Sequence, residues 1–363
     1  MSVHTPAAGA RRLTLAPPPR WLVGWWAAGR LVAIATALAI KPTVWTLDTW
    51  DGRWYRMVAR GGYLLVPGRQ SDPAFFPLYP ILLRGVHAAG IGWGIAGPLL
   101  SNLALLLGLG LFYKLTRELF SEPLARRSTT FLAIFPLSYV FSMAYPESVE
   151  LVLMTAAPLA ALRRRWWLAA LCAAGAGLAR PEGLFLALPL ASMAWSQRHS
   201  LAPSARGAAL AATLAPAAAL ASFSLYLDDV LRDPLAWSEA ERAWGRQFRV
   251  DGALRAFEHL PSDMGNNPWL VRDVVCFFLY LVLLYVARRL GTPRAWLAAG
   301  AAIVVLPIFT GAFDSIGRFG LLAPPVFWGL AGLTNNARSE RLVRAAALVL
   351  LVLGTASLAS VFP

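Results

Sequence analysis

Charge is what this sequence has least of. Only 14% of its 363 residues are Asp, Glu, Lys or Arg, where a soluble domain carries about 25%. Mean hydropathy is +0.55, and apolar runs recur from end to end, so no part of the chain has the side chains to solvate a surface; a cytosolic enzyme is excluded. Cysteine is nearly absent. Cys172 and Cys276 both fall inside apolar segments, which excludes a secreted disulfide scaffold and reads as packing rather than a disulfide or a metal site. The histidines lack ligand spacing, and His87 and His259 receive no role. Acids are outnumbered, 19 against 33 basic residues, for a net charge of +14. In a soluble chain that balance would indicate nucleic acid. Here the basic residues, all arginine except Lys41 and Lys114, sit in short clusters between apolar blocks, where they signal topology. A nucleic-acid partner is therefore not expected. The Arg- and Ala-rich composition points to a GC-rich bacterial genome.

What is present is a succession of apolar runs, and these predict an all-α polytopic membrane protein. A spanning helix takes about 20 mostly apolar residues. Runs at 21–40, 95–116, 128–145, 148–162, 166–179, 183–196, 206–227, 269–287, 294–311, 319–334 and 344–361 give about eleven spans, ten to twelve allowing for boundary error. The first run resembles a signal peptide at Ala37-Leu38-Ala39, and Arg11-Arg12 resembles a twin-arginine signal. With so many spans following, an anchor helix behind a cytoplasmic tail (1–20) is the better reading. The clusters Lys114/Arg117/Arg126/Arg127, Arg163-Arg164-Arg165, Arg198/Arg206, Arg288/Arg289/Arg294 and Arg338/Arg341/Arg344 then fall on one side, the cytoplasmic one under the positive-inside rule. Segment 75–90 would invert every later cluster if it crossed, so it is expected as a juxtamembrane or re-entrant helix.

This threading predicts a single integral membrane domain over 1–363 in the bacterial plasma membrane, with two large external segments, 42–94 and 228–268. The polar, non-basic chemistry collects outside: Asp48, Asp51, Asp72, Glu147, Arg180, Glu182, Asp228, Asp229, Arg242, Arg246, Asp314 and Arg318. The short basic inner loops have no phosphate-binding glycine loop, which argues against a nucleotide-driven transporter. The run Asp48-Thr49-Trp50-Asp51-Gly52-Arg53-Trp54-Tyr55 places two carboxylates three residues apart at the membrane surface. Spacing alone fits an interfacial belt helix with Asp48 and Asp51 as N-terminal caps as well as it fits a catalytic loop.

The order of residues goes further. The run WDGRWYRMVARGGY (50–63) resembles the first-loop signature of the PIG-V-type mannosyltransferases, the family that includes the enzyme adding the second mannose to GPI anchors, and of their bacterial relatives. Phe75-Phe76-Pro77-Leu78-Tyr79-Pro80 is similar to the family's FFPLYP block, Tyr145-Pro146-Glu147-Ser148 to its short ES element, and Arg180-Pro181-Glu182-Gly183 to its RPxG block. Ala243-Trp244-Gly245-Arg246 resembles the WGR of its long loop, and Arg318-Phe319 a late Arg-aromatic pair. The chain departs from the pattern with Pro146 in place of Thr and Phe319 in place of Tyr. The resemblance spans about residues 48 to 328. It implies a GT-C-like bundle with juxtamembrane helices in the first external loop, and an enzyme that moves mannose from a polyprenyl-phosphate donor to a glycolipid, glycan or protein acceptor on the external face.

Such a transfer needs a base for the acceptor hydroxyl and a means of stabilising the departing phosphate. Asp51, in the WD position, is the expected base; Asp48 is either the base or a partner raising the pKa of Asp51 by like-charge repulsion. Arg318, Arg180 and Arg246 are the candidates for the phosphate, since a guanidinium offers paired donors; the alternative for each interfacial arginine is snorkelling. Glu147, Trp50, Tyr55 and Tyr79 are expected to position or support the acceptor, Glu147 being equally an ordinary first-turn acid, and Glu182 likewise. No metal is expected, although Asp48 and Asp51 suit a shared divalent cation. Residues 75–90, Trp93 and Trp269 are expected to wall a groove for the polyprenyl chain. The alternative from another class is a transporter or flippase of a lipid-linked sugar.

Overall fold

The computed structural model describes residues 17–361 apart from residue 268; Arg11-Arg12 and most of the tail lie outside the described residues. No strand occurs among the described residues, and the α-helices are α1 Arg20–Ile40, α2 Asp51–Gly61, α3 Leu78–Ala88, α4 Trp93–Leu119, α5 Glu122–Ile134, α6 Glu147–Leu162, α7 Trp166–Ala179, α8 Ala187–Gln197, α9 Pro203–Leu231, α10 Ala236–Ala243, α11 Gly252–Asn266, α12 Trp269–Arg289, α13 Arg294–Val305, α14 Ile316–Phe319, α15 Pro324–Leu333 and α16 Ala337–Val361. The chain is an all-α polytopic membrane protein, as its apolar runs predict.

Five helices, α1, α4, α9, α12 and α16, are long and apolar enough to cross a bilayer, six if α14 and α15 with the turn between them form one span bent by 87°. The other expected runs are present as shorter helices, several continued by 3-10 turns at 138–142, 181–186 and 306–310. Proline sets these breaks: Pro136 follows the end of α5, Pro181 opens one turn and Pro307 lies in another, each removing a backbone donor. A broken helix at membrane depth is tolerated only where protein covers it, and the turn at 138–142 is buried throughout. In α6, residues Glu147 to Leu151 are all buried, whereas only 22% of the apolar window of α1 or α16 is. α6 packs on α4 and α7, α7 on α9, α12 on α15, and α1 on α16.

One buried arginine repairs such a break. Arg30, in the middle of α1 and only 3% exposed, donates to the carbonyls of Ser138 (2.6 Å) and Ala133 (3.1 Å) and to the hydroxyls of Ser142 and Ser138, both at 2.9 Å. It satisfies carbonyls left open where α5 stops.

The expected inner arginine clusters share one end of the bundle. Arg163 pairs with Glu118 at 3.3 Å, Arg164 donates to Ser200, Arg126 lies over Trp21 and Arg344 over Trp25, and Arg127 donates to the carbonyl of Ala331. Glu147 starts α6 at the opposite end from Arg163, about 24 Å away at 1.5 Å per residue. Segment 75–90 forms α3, eleven residues long and too short to cross.

Candidate active site

The first loop is built on α2. Its buried residues, Gly52, Tyr55, Val58 and Ala59, form one helical face, which packs on Phe75, Tyr79 and Leu83 and on Val149 of α6. This face is covered by protein, so α2 is not simply a belt helix lying among headgroups. Trp54 stacks on Phe75 at 5.6 Å, and Trp244 meets both rings edge-on at 5.5 and 5.8 Å. The WD, FFPLYP and WGR blocks, about 190 residues apart at their extremes by count of the chain, thus share one aromatic cluster.

That packing fixes the start of α2. The residue ahead of it, Trp50, is half exposed and held at a positive φ of 51°, a conformation an aromatic L-residue adopts only under constraint. Its side chain makes no capping hydrogen bond. Asp51 follows in the first turn, where the helix dipole favours a carboxylate. Neither expected cap operates, because both acids are engaged elsewhere.

Asp51 accepts from Arg318 Nη1 at 2.5 Å. Arg318 Nε lies 3.0 Å from Glu147 Oε1, so one guanidinium bridges two acids from different elements. Its planar group also lies 5.2 Å from the Tyr145 ring centre. Burial by itself would raise the pKa of Asp51; the charges of Arg318 and Arg246 and the bond from Arg318 outweigh it and hold the carboxyl below its ordinary value.

Arg180 sits behind this pair. Nη1 donates to Glu147 at 2.8 Å, Nη2 and Nε to the two oxygens of Glu182 at 3.0 and 3.1 Å, and Nε also lies 3.3 Å from Glu150. All four residues are buried. The Arg180 donors are committed to three carboxylates, so this residue, expected at the phosphate, instead anchors Glu147. Glu150 is the member of the cluster that the sequence reading missed. Its signal was available: one helical turn beyond Glu147 on an apolar helix, it shares that residue's face, and an acid there requires a partner.

Arg246 reaches the site from the long loop, donating to Ser315 Oγ at 3.3 Å with Glu241 at 3.6 Å. Tyr55 is buried against Phe75 and Tyr79, with ring centres 5.1 Å apart in each case. Tyr79 donates to the Gly97 carbonyl at 3.1 Å and contacts Ser101 Oγ at 2.9 Å, which joins α3 to α4 and leaves its hydroxyl engaged away from Asp51.

Asp48 belongs to a different pair. It is buried and bonded to Arg56, whose guanidinium lies over Trp45. Burial raises the pKa of Asp48 in spite of Arg56 and Arg53. The expectation that Asp48 raises the pKa of Asp51 is therefore corrected: Asp51 is held low by arginines. The two acids expected to suit a shared cation each have a guanidinium partner of their own, Arg56 for Asp48 and Arg318 for Asp51. No group of three His, Cys, Asp or Glu among the described residues is placed to hold a metal ion.

An apolar groove of about 840 Å³ opens between α1 and α4, lined by Leu31, Ile34, Leu38, Leu47, Ile95 and Leu99 among others. The expected walls, residues 75–90, Trp93 and Trp269, are not part of it. The carbonyl of Leu47, which also lines it, accepts from the Ala144 N–H at 2.7 Å, one residue before Tyr145.

No family model matches the chain, and no curated protein matches it. Among solved structures it is similar to the Archaeoglobus fulgidus oligosaccharyltransferase, determined with an acceptor peptide containing the NVT sequon tethered by a disulfide bond. Identity is 12% and the TM-score 0.46, over 94% of this chain and 55% of the other. The chain spans about half the length of that protein.

Proposed function

We propose that this chain is a membrane glycosyltransferase of the GT-C kind, a bacterial relative of the PIG-V-type enzymes, that moves a hexose, mannose by the motif resemblance, from a polyprenyl phosphate to an acceptor hydroxyl on the external face. The observation that carries this reading is the meeting of Asp51 and Arg318 at 2.5 Å from opposite ends of the chain. It joins a carboxylate able to take a proton with a guanidinium able to receive a phosphate.

In this mechanism the donor phosphate draws Arg318 away from Asp51, and the freed carboxylate accepts the proton of the acceptor hydroxyl. The acceptor oxygen forms its bond to the anomeric carbon on the face opposite the phosphate, as the bond from that carbon to the phosphate oxygen breaks, and the sugar inverts. The electron pair leaves with the polyprenyl phosphate. Arg318 and Arg246 balance its added charge, paired donors on a guanidinium matching phosphate oxygens. Glu147, anchored by Arg180, gives Arg318 a second resting partner. The groove between α1 and α4 suits the isoprenoid chain, and one of its lining residues, Leu47, is bonded to Ala144 next to Tyr145. Arginines supply the countercharge here, so the transfer is expected to proceed without a divalent cation.

The test is transfer from synthetic polyprenyl-phosphate-mannose to an acceptor-lipid extract in EDTA, with wild type and Asp51→Asn side by side. Wild type is expected to transfer, and the variant to lose about 100-fold or more. Equal rates would remove the assigned base. No transfer by either protein, with or without added metal and with the donor intact, would remove the donor class, and a rate restored by adding Mg²⁺ or Mn²⁺ would remove the metal-free mechanism.

A further inference from the structure

Arg318 lies on the shortest α-helix among the described residues. α14 is one turn, Ile316–Phe319, and a single turn fixes several dihedrals for one hydrogen bond, so it does not hold its own shape. It starts at Ser315, a non-glycine residue at a φ of 69°. The guanidinium that reaches Asp51 and Glu147 therefore needs its backbone held from outside.

α12 does this with two side chains. Asp273 Oδ1 accepts from the Gly317 N–H at 2.8 Å, and the Tyr280 hydroxyl donates to the Gly317 carbonyl at 2.7 Å. The residue immediately before Arg318 is thus held at both of its backbone polar groups. Asp273 and Tyr280 are seven residues apart, two helical turns along one face, and are 2% and 0% exposed. The carboxylate is itself fixed: its Oδ2 accepts from Arg272 at 2.9 Å, and Arg272 donates to the Tyr139 hydroxyl, also at 2.9 Å. Contact is close enough to exclude any side chain. A Cβ on Gly317 would lie 2.8 Å from Asp273 Oδ1 and 2.7 Å from Leu137 Cδ2, and one on Gly320 would lie 2.0 Å from the Tyr280 ring.

We infer that Asp273, with Tyr280, is a positioning residue for the transfer: its grip on Gly317 sets the Arg318 guanidinium on Asp51 and on the donor phosphate. The inference rests on the reading of Arg318 given above. Asp273 is bonded to Arg272 and to the Gly317 N–H and not to the acids around Arg180 and Arg318, so its effect on the site is expected to run through Arg318.

The experiment compares purified Asp273→Ala, Asp273→Asn and Tyr280→Phe with wild type, each alone and combined with Arg318→Ala. Initial transfer rates give kcat and KM for polyprenyl-phosphate-mannose, and thermal midpoints report folding. Asp273→Ala is expected to lower kcat on the order of 10- to 100-fold, the cost of a misplaced catalytic group. Asp273→Asn, which keeps an acceptor oxygen for Gly317, is expected to recover most of that loss. Neither should lower kcat further when Arg318 is already Ala, because residues acting as a unit are not additive. A folded Asp273→Ala with kcat within twofold of wild type overturns the inference, as does an equal further loss in the Arg318→Ala background. If Asp273→Ala does not fold, Tyr280→Phe decides: a lower kcat with an unchanged KM supports the clamp, and an unchanged kcat overturns it.

A readout without turnover separates this inference from the function it rests on. The thermal coupling between Asp51→Asn and Arg318→Ala should be measurable with Asp273 present and lost in Asp273→Ala/Tyr280→Phe. Loss of that coupling upholds the clamp even if no sugar is transferred; its persistence overturns the clamp even if the enzyme is active.

Discussion

Asp48 and Asp51 are three residues apart, and their surroundings move them in opposite directions. Asp51 is held low by Arg318 and Arg246 against its own burial. The stability it contributes is complete above the ordinary Asp value and is lost as pH falls through its lower folded value. Asp48 is held high by burial, so its contribution is complete below the ordinary range and is lost as pH rises through the raised value. The transfer rate is therefore expected to stay flat from neutral pH down to about 5 and to fall only near or below the ordinary Asp value of about 3.9. A rate profile over pH 3.5–8 checks this, and an acid limb well above that value would move the base from Asp51 to Asp48. Arg180 makes a second residue-scale prediction. Arg180→Leu leaves Glu147, Glu150 and Glu182 buried without their common cation and is expected to cost about 3–5 kcal/mol, seen as a lower thermal midpoint in detergent. Sequence order identified Asp51, Glu147, Arg180 and Arg318 as a set, but not that Arg180 would be saturated by carboxylates. Loop position is written in the sequence; which side chain claims which donor is decided by approach in space.

At the scale of elements, helices meet where glycine permits it. A Cβ at Gly329 would lie 2.0 Å from the Leu283 carbonyl oxygen across the α12–α15 contact, and one at Gly177 would lie 2.5 Å from the Pro216 carbonyl oxygen where α7 meets α9. In a membrane, such small residues allow the close backbone approach that replaces hydrophobic driving force. Gly329→Val is expected to push α15 off α12 and destabilise by about 1–3 kcal/mol or more. Because α12 also carries Asp273 and Tyr280, transfer should decline with the thermal midpoint, and a variant as stable as wild type would contradict this packing account. The apolar runs were legible as helices because their length and composition leave no other structure. Their breaks were less so. Pro136, Pro181 and Pro307 mark them, yet proline within a long apolar run also occurs in unbroken spans, as Pro98 does in α4. The difference lies in what receives the freed carbonyls, and for α5 that is Arg30 from another helix.

At the scale of the whole molecule, the arginine clusters gather at one end and the acid cluster at the other. Under the positive-inside rule the acid end is expected on the external face. Single cysteines in a Cys172→Ala/Cys276→Ala background test this: Arg165→Cys is expected to react with an impermeant thiol reagent only after the membrane is opened, and Gln247→Cys in intact cells. The reverse pattern would place the acid cluster inside and remove an external transfer. Long helices α1, α9 and α16 line the periphery while the shorter α5, α6 and α15 lie within. That arrangement leaves the irregular backbone at 138–142 where protein covers it and keeps regular helix at the periphery.

The sequence by itself determined that the chain is helical and membrane-embedded, which end of each run carries the arginines, and which loops hold the scarce acids. These follow from composition and local order, since hydropathy and proline act on a segment wherever it lies. Only the tertiary structure decided that Asp51 meets Arg318 while Asp48 turns to Arg56, that Glu150 joins Glu147 and Glu182 around Arg180, and that α12 holds the turn bearing Arg318. Ion pairs and backbone clamps act over 3 Å, and residues hundreds of positions apart reach that distance only once the helices between them have packed.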